Sequence, residues 1–389
     1  MKRNGILGTL LLAVVAAVSL VGCGEPPHTH SFGEWTVLQA ATCTEDGTQT
    51  RACSCGERQT RSVQKTGHAL SAVYRGDATF DTDGTVVVTC QSCDYTETRT
   101  AEGSAAFLKH AFADKTVSLL GDSISTYLDV SNGAAADTSN TTIRDGVLYY
   151  DAQKIRDLGV DLNSTWWQRT VNTVGASLLV NNSWSGSYVK DASTNAVSTP
   201  GAYLGRAQQL HDDTGDNAGQ TPDMVFVFMG TNDYYKYKAN VGEINASAVS
   251  ALRTQVGDAS YRATTVAEAY AMMLLRIRQA YPTAEIYCLN VLESSISEAA
   301  SLAAFNGMIE DACSLVGATY VDICEQSGIR AGESYEVYVP SDDGDGTPNS
   351  LHPNALGMER IAEVVVSAVL KNSVYLPAAE DFTDTSVLD

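Results

Sequence analysis

Short unbroken apolar runs recur along this chain, separated by stretches of helical period. Runs at residues 117–120, 177–180, 224–229, 285–292 and 319–323 read as buried strands. Between them the 3.6-residue period is clearest at 265–280 and 302–315, and a closing helix is expected from 354 to about 370. Five strands alternating with helices predict an α/β domain of three layers, a parallel five-stranded sheet covered on both faces, in a flavodoxin-like strand order. Upstream of residue 100 the pattern changes: long apolar runs give way to Thr, Gly, Arg and Cys. A linker with a short helix, 105–113, is expected at 101–114.

The first residues carry a different signal. Lys2 and Arg3 precede an apolar run from 6 to 21, which is shorter than the roughly 20 residues a spanning helix needs and reads as the core of a signal peptide, residues 1–22. It ends in Leu20-Val21-Gly22-Cys23, a string that resembles the bacterial lipoprotein box. That resemblance implies a mature chain beginning at a lipidated Cys23, anchored to the cell membrane and extracytoplasmic.

Residues 23–100 form a repeat region. Cys43-Thr-Glu-Asp-Gly47 followed by Cys53 matches Phe80-Asp-Thr-Asp-Gly84 followed by Cys90, with His30 and His68 upstream and the pairs Cys53/Cys55 and Cys90/Cys93 closing each copy. Modules of about 35 residues bury little apolar surface and need staples. Structural zinc, disulfides and free thiols are the three readings, and Cys43, Cys53, Cys55 and His68 are the expected tetrahedral zinc set. The region loosely resembles Cys/His repeat modules of Gram-positive surface proteins, which implies a spacer or weak binding element. Cys288, Cys313 and Cys324, by contrast, fall on core elements and read as small buried hydrophobes.

Charge narrows the partners. With 46 acidic against 25 basic residues the formal charge is -21, which repels phosphate backbones and excludes nucleic acid as the expected partner. No Gly-x-Ser-x-Gly, His-Glu-x-x-His or phosphate-loop motif occurs, so those hydrolase and nucleotide chemistries have no anchor.

The chemistry-bearing residues lie after strands. Gly121-Asp122-Ser123 follows the first apolar run, Asn181-Asn182-Ser183-Trp184-Ser185-Gly186 the second and Gly230-Thr231-Asn232-Asp233 the third, while Leu351-His352-Pro353-Asn354 precedes the last helix. In an open parallel sheet all of these converge on the carboxyl edge. There Ser123 can attack an ester carbonyl, His352 can carry its proton, and the N–H groups of Ser123 and Gly186 with the Asn232 amide can hold the oxyanion. Gly121 is expected to permit a sharp turn, Gly186 a close approach of backbone to substrate, and Pro353 a first helical turn. The long connection 126–162 is expected to wall the site, Trp166 and Trp167 to divide between core and cleft, and Tyr234, Tyr235 and Tyr237 to border a cleft or the surface.

Together the four blocks resemble the SGNH family of GDSL-type esterases and lipases, over roughly residues 115 to 372. The resemblance implies a metal-free and cofactor-free serine esterase with catalytic Ser123, Gly186, Asn232 and His352 in a hydrolase domain spanning 115–376, followed by a tail, 377–389. The family usually carries an aspartate three residues before the histidine; here Asn349 stands in that place. Asn349 orienting the imidazole, one of Asp342, Asp343 or Asp345 doing so, and a degenerate site that only binds glycan or protein are the alternatives. Short acyl groups on an extracellular glycan are the expected substrate, with membrane phospholipid or lysophospholipid as the second choice.

Overall fold

The computed structural model describes residues 29–128, 141–144, 147–191, 200–213, 215–332, 335–341, 351–378 and 381. The signal peptide, Cys23, Asn349, Asp342, Asp343 and Asp345 therefore lie outside the described residues. Among those described, no helix is long and apolar enough to cross a membrane.

The strands, in chain order, are β1 (Thr36–Gln39), β2 (Gly47–Ala52), β3 (Arg58–Val63), β4 (Leu70–Tyr74), β5 (Thr85–Cys90), β6 (Thr96–Thr100) and β7 (Thr116–Gly121). They continue with β8 (Thr141–Arg144), β9 (Val147–Tyr150), β10 (Ser177–Ser183), β11 (Met224–Phe228), β12 (Glu285–Leu289) and β13 (Thr319–Val321). The central sheet has the order β10-β7-β11-β12-β13, with all its pairings parallel. This is the flavodoxin-like order expected from the alternation of strands and helices.

Side-chain alternation along each strand feeds two cores. Leu120, Val225, Val227, Ile286 and Cys288 pack on one face with helices Val266–Ala280 and Ala299–Val316. On the other face Val117, Leu119, Phe226, Phe228 and Leu289 meet helices Trp166–Val174 and Ala355–Asn372. Helix Val266–Ala280 begins where Thr265 Oγ1 accepts from the Glu268 amide at 3.1 Å, and Glu268 in turn accepts from the Thr264 amide at 2.6 Å. Capping at both positions satisfies donors that the first turn leaves over. From Ala269 to Leu275 every residue of that helix is buried, and each large apolar side chain there contributes about 1.5–3 kcal/mol. Cys288, Cys313 and Cys324 are all buried, as expected.

Four local readings are corrected. Gly121 has no positive φ; it is the last residue of β7, and an added Cβ would lie 2.6 Å from both Ser125 Cβ and Ser183 Oγ, so glycine is demanded by close packing. Pro353 stands before the last helix, because Asn354 is its N-cap and accepts from the Gly357 amide at 2.9 Å. Trp166 and Trp167 are both core residues, and Tyr234 is fully buried against Phe305.

The chain divides into two compact units: the described residues up to Ser71 with Thr89–Thr96, and Ala72–Val88 with Glu97 onward. The division falls inside β4, β5 and β6. Phe80, which stands where the first copy of the repeat has Cys43, belongs to the larger unit, where it meets Phe112 edge-on at 5.4 Å and joins the second core. The smaller unit contains the antiparallel sheet β1-β2-β3.

In the smaller unit the expected set of Cys43, Cys53, Cys55 and His68 is not assembled. Cys43 and His68 gather with Cys90 and Cys93, while Cys53 and Cys55 gather with His30. The reason is strand length. Cys43 precedes β2 and Cys53 follows it, and a six-residue strand spans about 20 Å, so the two thiols stand at opposite ends.

Candidate active site

β7 delivers the central turn. Its neighbours end in register with it, Gly121 facing Ser183 on β10 and Phe228 on β11, so the loops after all three strands start from one level of the sheet edge. Immediately after Gly121 a single 3-10 turn, Ser123–Ser125, is capped by Asp122, whose Oδ1 accepts from the Ile124 amide at 3.1 Å. Asn181 Nδ2 donates to Ser125 O at 3.0 Å, and Trp166 Nε1 donates to Ser125 Oγ at 3.2 Å, which ties the turn to β10 and to the core. Asp122, Ile124 and Ser125 are buried, while Ser123 between them is partly exposed. Such a fixed hydroxyl at a reachable edge is what nucleophilic chemistry needs.

His352 Nε2 lies 2.9 Å from Ser123 Oγ across 229 residues of sequence. The imidazole is stacked on Tyr150, ring centroids 3.6 Å apart and planes 15° apart. Tyr150 ends β9, so at β9 the connection after Ser123 borders the site; β9 pairs antiparallel with β8. Tyr150 was not singled out from the sequence. The aromatic pair Tyr149-Tyr150 beside a polar loop was its only signal.

The loop after β10 is clamped from both sides. Its Trp184 amide donates to Gly121 O at 3.1 Å, and Ser185 N donates to Leu148 O on β9 at 2.8 Å. Asn232 Nδ2 donates to Ser187 O at 2.9 Å, leaving the second amide N–H of Asn232 for a further acceptor. Asp233, fully buried, receives the Val189 and Lys190 amides on its two oxygens at 2.7 and 3.1 Å. Gly186 sits in this loop with φ +68°, a left-handed conformation, and open space where a Cβ would project. β10 runs three residues further than expected, so Asn181, Asn182 and Ser183 are strand residues and only Trp184 onward forms the loop.

Buried charge supports the same turn. Arg206, buried beneath Trp184, donates through Nη2 to Gly121 O at 2.8 Å and to Asn182 O at 3.1 Å. Burial pulls this guanidinium down to about 9, against the attraction of Asp122. Burial pushes Asp122 up to about 6, with the Ile124 amide, the Thr231 hydroxyl and Arg206 opposing it. Asp233 is pushed up to about 7, again chiefly by burial and against the two amides it accepts. Neither aspartate nor Arg206 was identified from sequence as part of the site's support, because each reads locally as a helix or turn residue. Of the residues expected at the site, Ser123 and His352 are in hydrogen-bond contact; Gly186 lies in the loop after β10 and Asn232 in the first turn of the helix Thr231–Tyr237 that follows β11, the two joined through Ser187.

None of the curated proteins matches this chain. Among solved structures, a GDSL-like lipase from Bacteroides ovatus aligns at 21% identity over 67% of this chain and 99% of its own, with a TM-score of 0.40. A family two carbohydrate esterase from Cellvibrio japonicus aligns at 15% identity over 70% of this chain and 63% of its own, TM-score 0.38. The esterase EstA from Pseudoalteromonas sp. aligns at 14% identity over 66% and 98%, TM-score 0.35. A family model, GDSL-like Lipase/Acylhydrolase, matches residues 115–325; the match stops short of His352, whose place at Ser123 rests on geometry alone. Because that model covers more than half of the 389 residues, the chain belongs to the GDSL-like lipase and acylhydrolase family, the SGNH hydrolases.

Proposed function

We propose that this protein is an extracytoplasmic serine esterase, tethered through Cys23, that hydrolyses short carboxylic esters by way of an acyl-serine intermediate. The observation that carries the reading is the 2.9 Å contact between His352 Nε2 and Ser123 Oγ. With neutral imidazole, Nε2 accepts the hydroxyl proton as Oγ attacks the carbonyl carbon, and the carbonyl oxygen takes the negative charge. The N–H groups of Ser123 and Gly186 and the second amide N–H of Asn232 are the donors assigned to that oxygen. His352 then gives its proton to the leaving alcohol, and water repeats the sequence on the acyl-enzyme to free the acid and Ser123.

Tyr150 has a positioning role in this scheme: its ring holds the imidazole plane so that Nε2 faces Ser123. Asn349 is assigned as the acceptor for His352 Nδ1–H, a weaker partner for the imidazolium than a carboxylate. Acyl groups on an extracellular glycan are the substrate class favoured, supported by the signal-peptide pattern and the lipoprotein string at Cys23. In the same reading the smaller unit serves as a spacer, while Ala72–Val88 belongs to the hydrolase unit.

Hydrolysis of p-nitrophenyl acetate and butyrate by the purified chain, wild type against Ser123→Ala, tests the proposal. The wild type is expected to turn over both esters, and Ser123→Ala to fall to the uncatalysed rate. Equal rates for the two proteins would overturn the esterase reading and leave a domain that binds glycan or protein. Replacing Asn349 by Asp is expected to raise kcat; an unchanged kcat would move the orienting role to Asp342, Asp343 or Asp345.

A further inference from the structure

The smaller unit lacks an ordinary core. Among its described residues the buried apolar side chains are Cys43, Cys53 and Cys90 alone. β1 and most of β3 are solvent-exposed, and Val37 and Leu38 project into water at 63% and 66% exposure. A unit of this size with no apolar cluster needs some other source of folding free energy. Its sulfur and imidazole atoms are what it has gathered instead.

The donor atoms of Cys43, His68, Cys90 and Cys93 all lie within 4.8 Å of one another. Cys43 Sγ is 3.7 Å from Cys90 Sγ, and Cys93 Sγ is 3.4 Å from His68 Nδ1. With metal–sulfur bonds of about 2.3 Å and metal–nitrogen bonds of about 2.0–2.1 Å, a tetrahedron has edges of about 3.8 Å between sulfurs and about 3.5 Å from sulfur to nitrogen. Both separations fit those edges. A disulfide, in contrast, brings its sulfurs to about 2.05 Å. The surroundings are those of a ligand set: the Ser92 amide donates to Cys90 Sγ at 3.4 Å, and the His68 ring is stacked on Tyr95 with centroids 4.4 Å apart, fixing the side from which Nδ1 approaches.

We infer that Cys43, His68, Cys90 and Cys93 form a tetrahedral structural zinc site in which the first repeat lends its cysteine to the second. Three thiolates with one imidazole close the coordination sphere, leave no position for substrate, and select zinc over hard cations. The sharing accounts for the difference between the repeats. The second copy has Phe80 in place of a cysteine, and that phenylalanine is committed to the hydrolase core, so the thiol its site needs comes from Cys43. His30, Cys53 and Cys55 repeat the local geometry, Cys55 Sγ lying 3.3 Å from His30 Nδ1 with the same 25-residue separation as His68 and Cys93. That group supplies three donors among the described residues and is the incomplete copy of the site.

Metal analysis of the full chain tests the assignment. In the double variant Cys53→Ser/Cys55→Ser one zinc per chain is expected to remain, and adding Cys43→Ser or Cys90→Ser to that background is expected to remove it. A double variant without zinc would overturn the inference in favour of a set confined to the first repeat. Cobalt loaded into the unaltered chain gives a readout that does not depend on the variants folding. Strong visible bands of tetrahedral cobalt with thiolate charge transfer are expected, and the weak spectrum of octahedral cobalt would refute the site. A Cys43–Cys90 disulfide found by peptide mapping of unreduced protein would refute it equally.

Discussion

At the scale of single residues, the site depends on groups that each do two jobs. Asn232 fastens the neighbouring loop by one amide N–H to Ser187 O and leaves the other, which the proposed mechanism assigns to the oxyanion. Replacing it by Ala is therefore expected to lower kcat by about 10²–10³ in ester hydrolysis while KM changes little, as loss of one preorganised donor does. A fall in affinity with unchanged kcat would place Asn232 outside the oxyanion site. Asp233 shows how far a sequence reading reaches: Thr-Asn-Asp after a strand reads as a helix cap, yet this carboxylate accepts two amides from a loop more than forty residues upstream. No local pattern encodes that partner.

At the scale of elements, the edge of the sheet is built by tight packing at one position. A methyl group at Gly121 would meet Ser125 and Ser183 at 2.6 Å, on the Ser123–Ser125 turn and on β10 respectively. Gly121→Ala is expected to destabilise the fold by about 1–3 kcal/mol, read as a lower urea midpoint, and to lower kcat because Ser123 moves with its turn. Full retention of both would mean that the turn can relax, and that its position is not set by this contact. The strands and the long helices were readable from apolar period, since period reflects backbone geometry. The extra residues of β10 were not, because Asn181, Asn182 and Ser183 are polar strand positions, of which Asn181 holds the Ser125 carbonyl through Nδ2 and Asn182 accepts from Trp184 Nε1.

At the scale of the molecule, the active-site edge is held by buried titratable groups, and this gives stability a pH signature. Asp233 carries its proton in the folded state up to about pH 7, whereas in the unfolded chain it ionises near its ordinary value of 3.8. Between those values the folded state binds more protons, so its contribution to stability falls as pH rises and levels off above about 7. Asp122, raised to about 6, acts in the same direction, while Arg206 and Asp191 set the local field. Asp233→Asn is expected to be less stable than wild type, by a gap in urea midpoint that narrows from about pH 4 to about pH 7. A gap independent of pH would show that Asp233 is ionised throughout. By itself the sequence determined the alternation of elements, hence the parallel sheet and its reactive edge, and the kinds of residue placed there, because period and strand–helix order are local properties of a polypeptide. Only the tertiary structure decided the other distant partnerships: Tyr150 against the imidazole, Phe80 in the hydrolase core, and Cys43 with the sulfurs of the second repeat instead of its own. Those partnerships depend on where whole strands end in space, and residues separated by a strand's length along the chain can only be joined or parted by the packing of the elements that carry them.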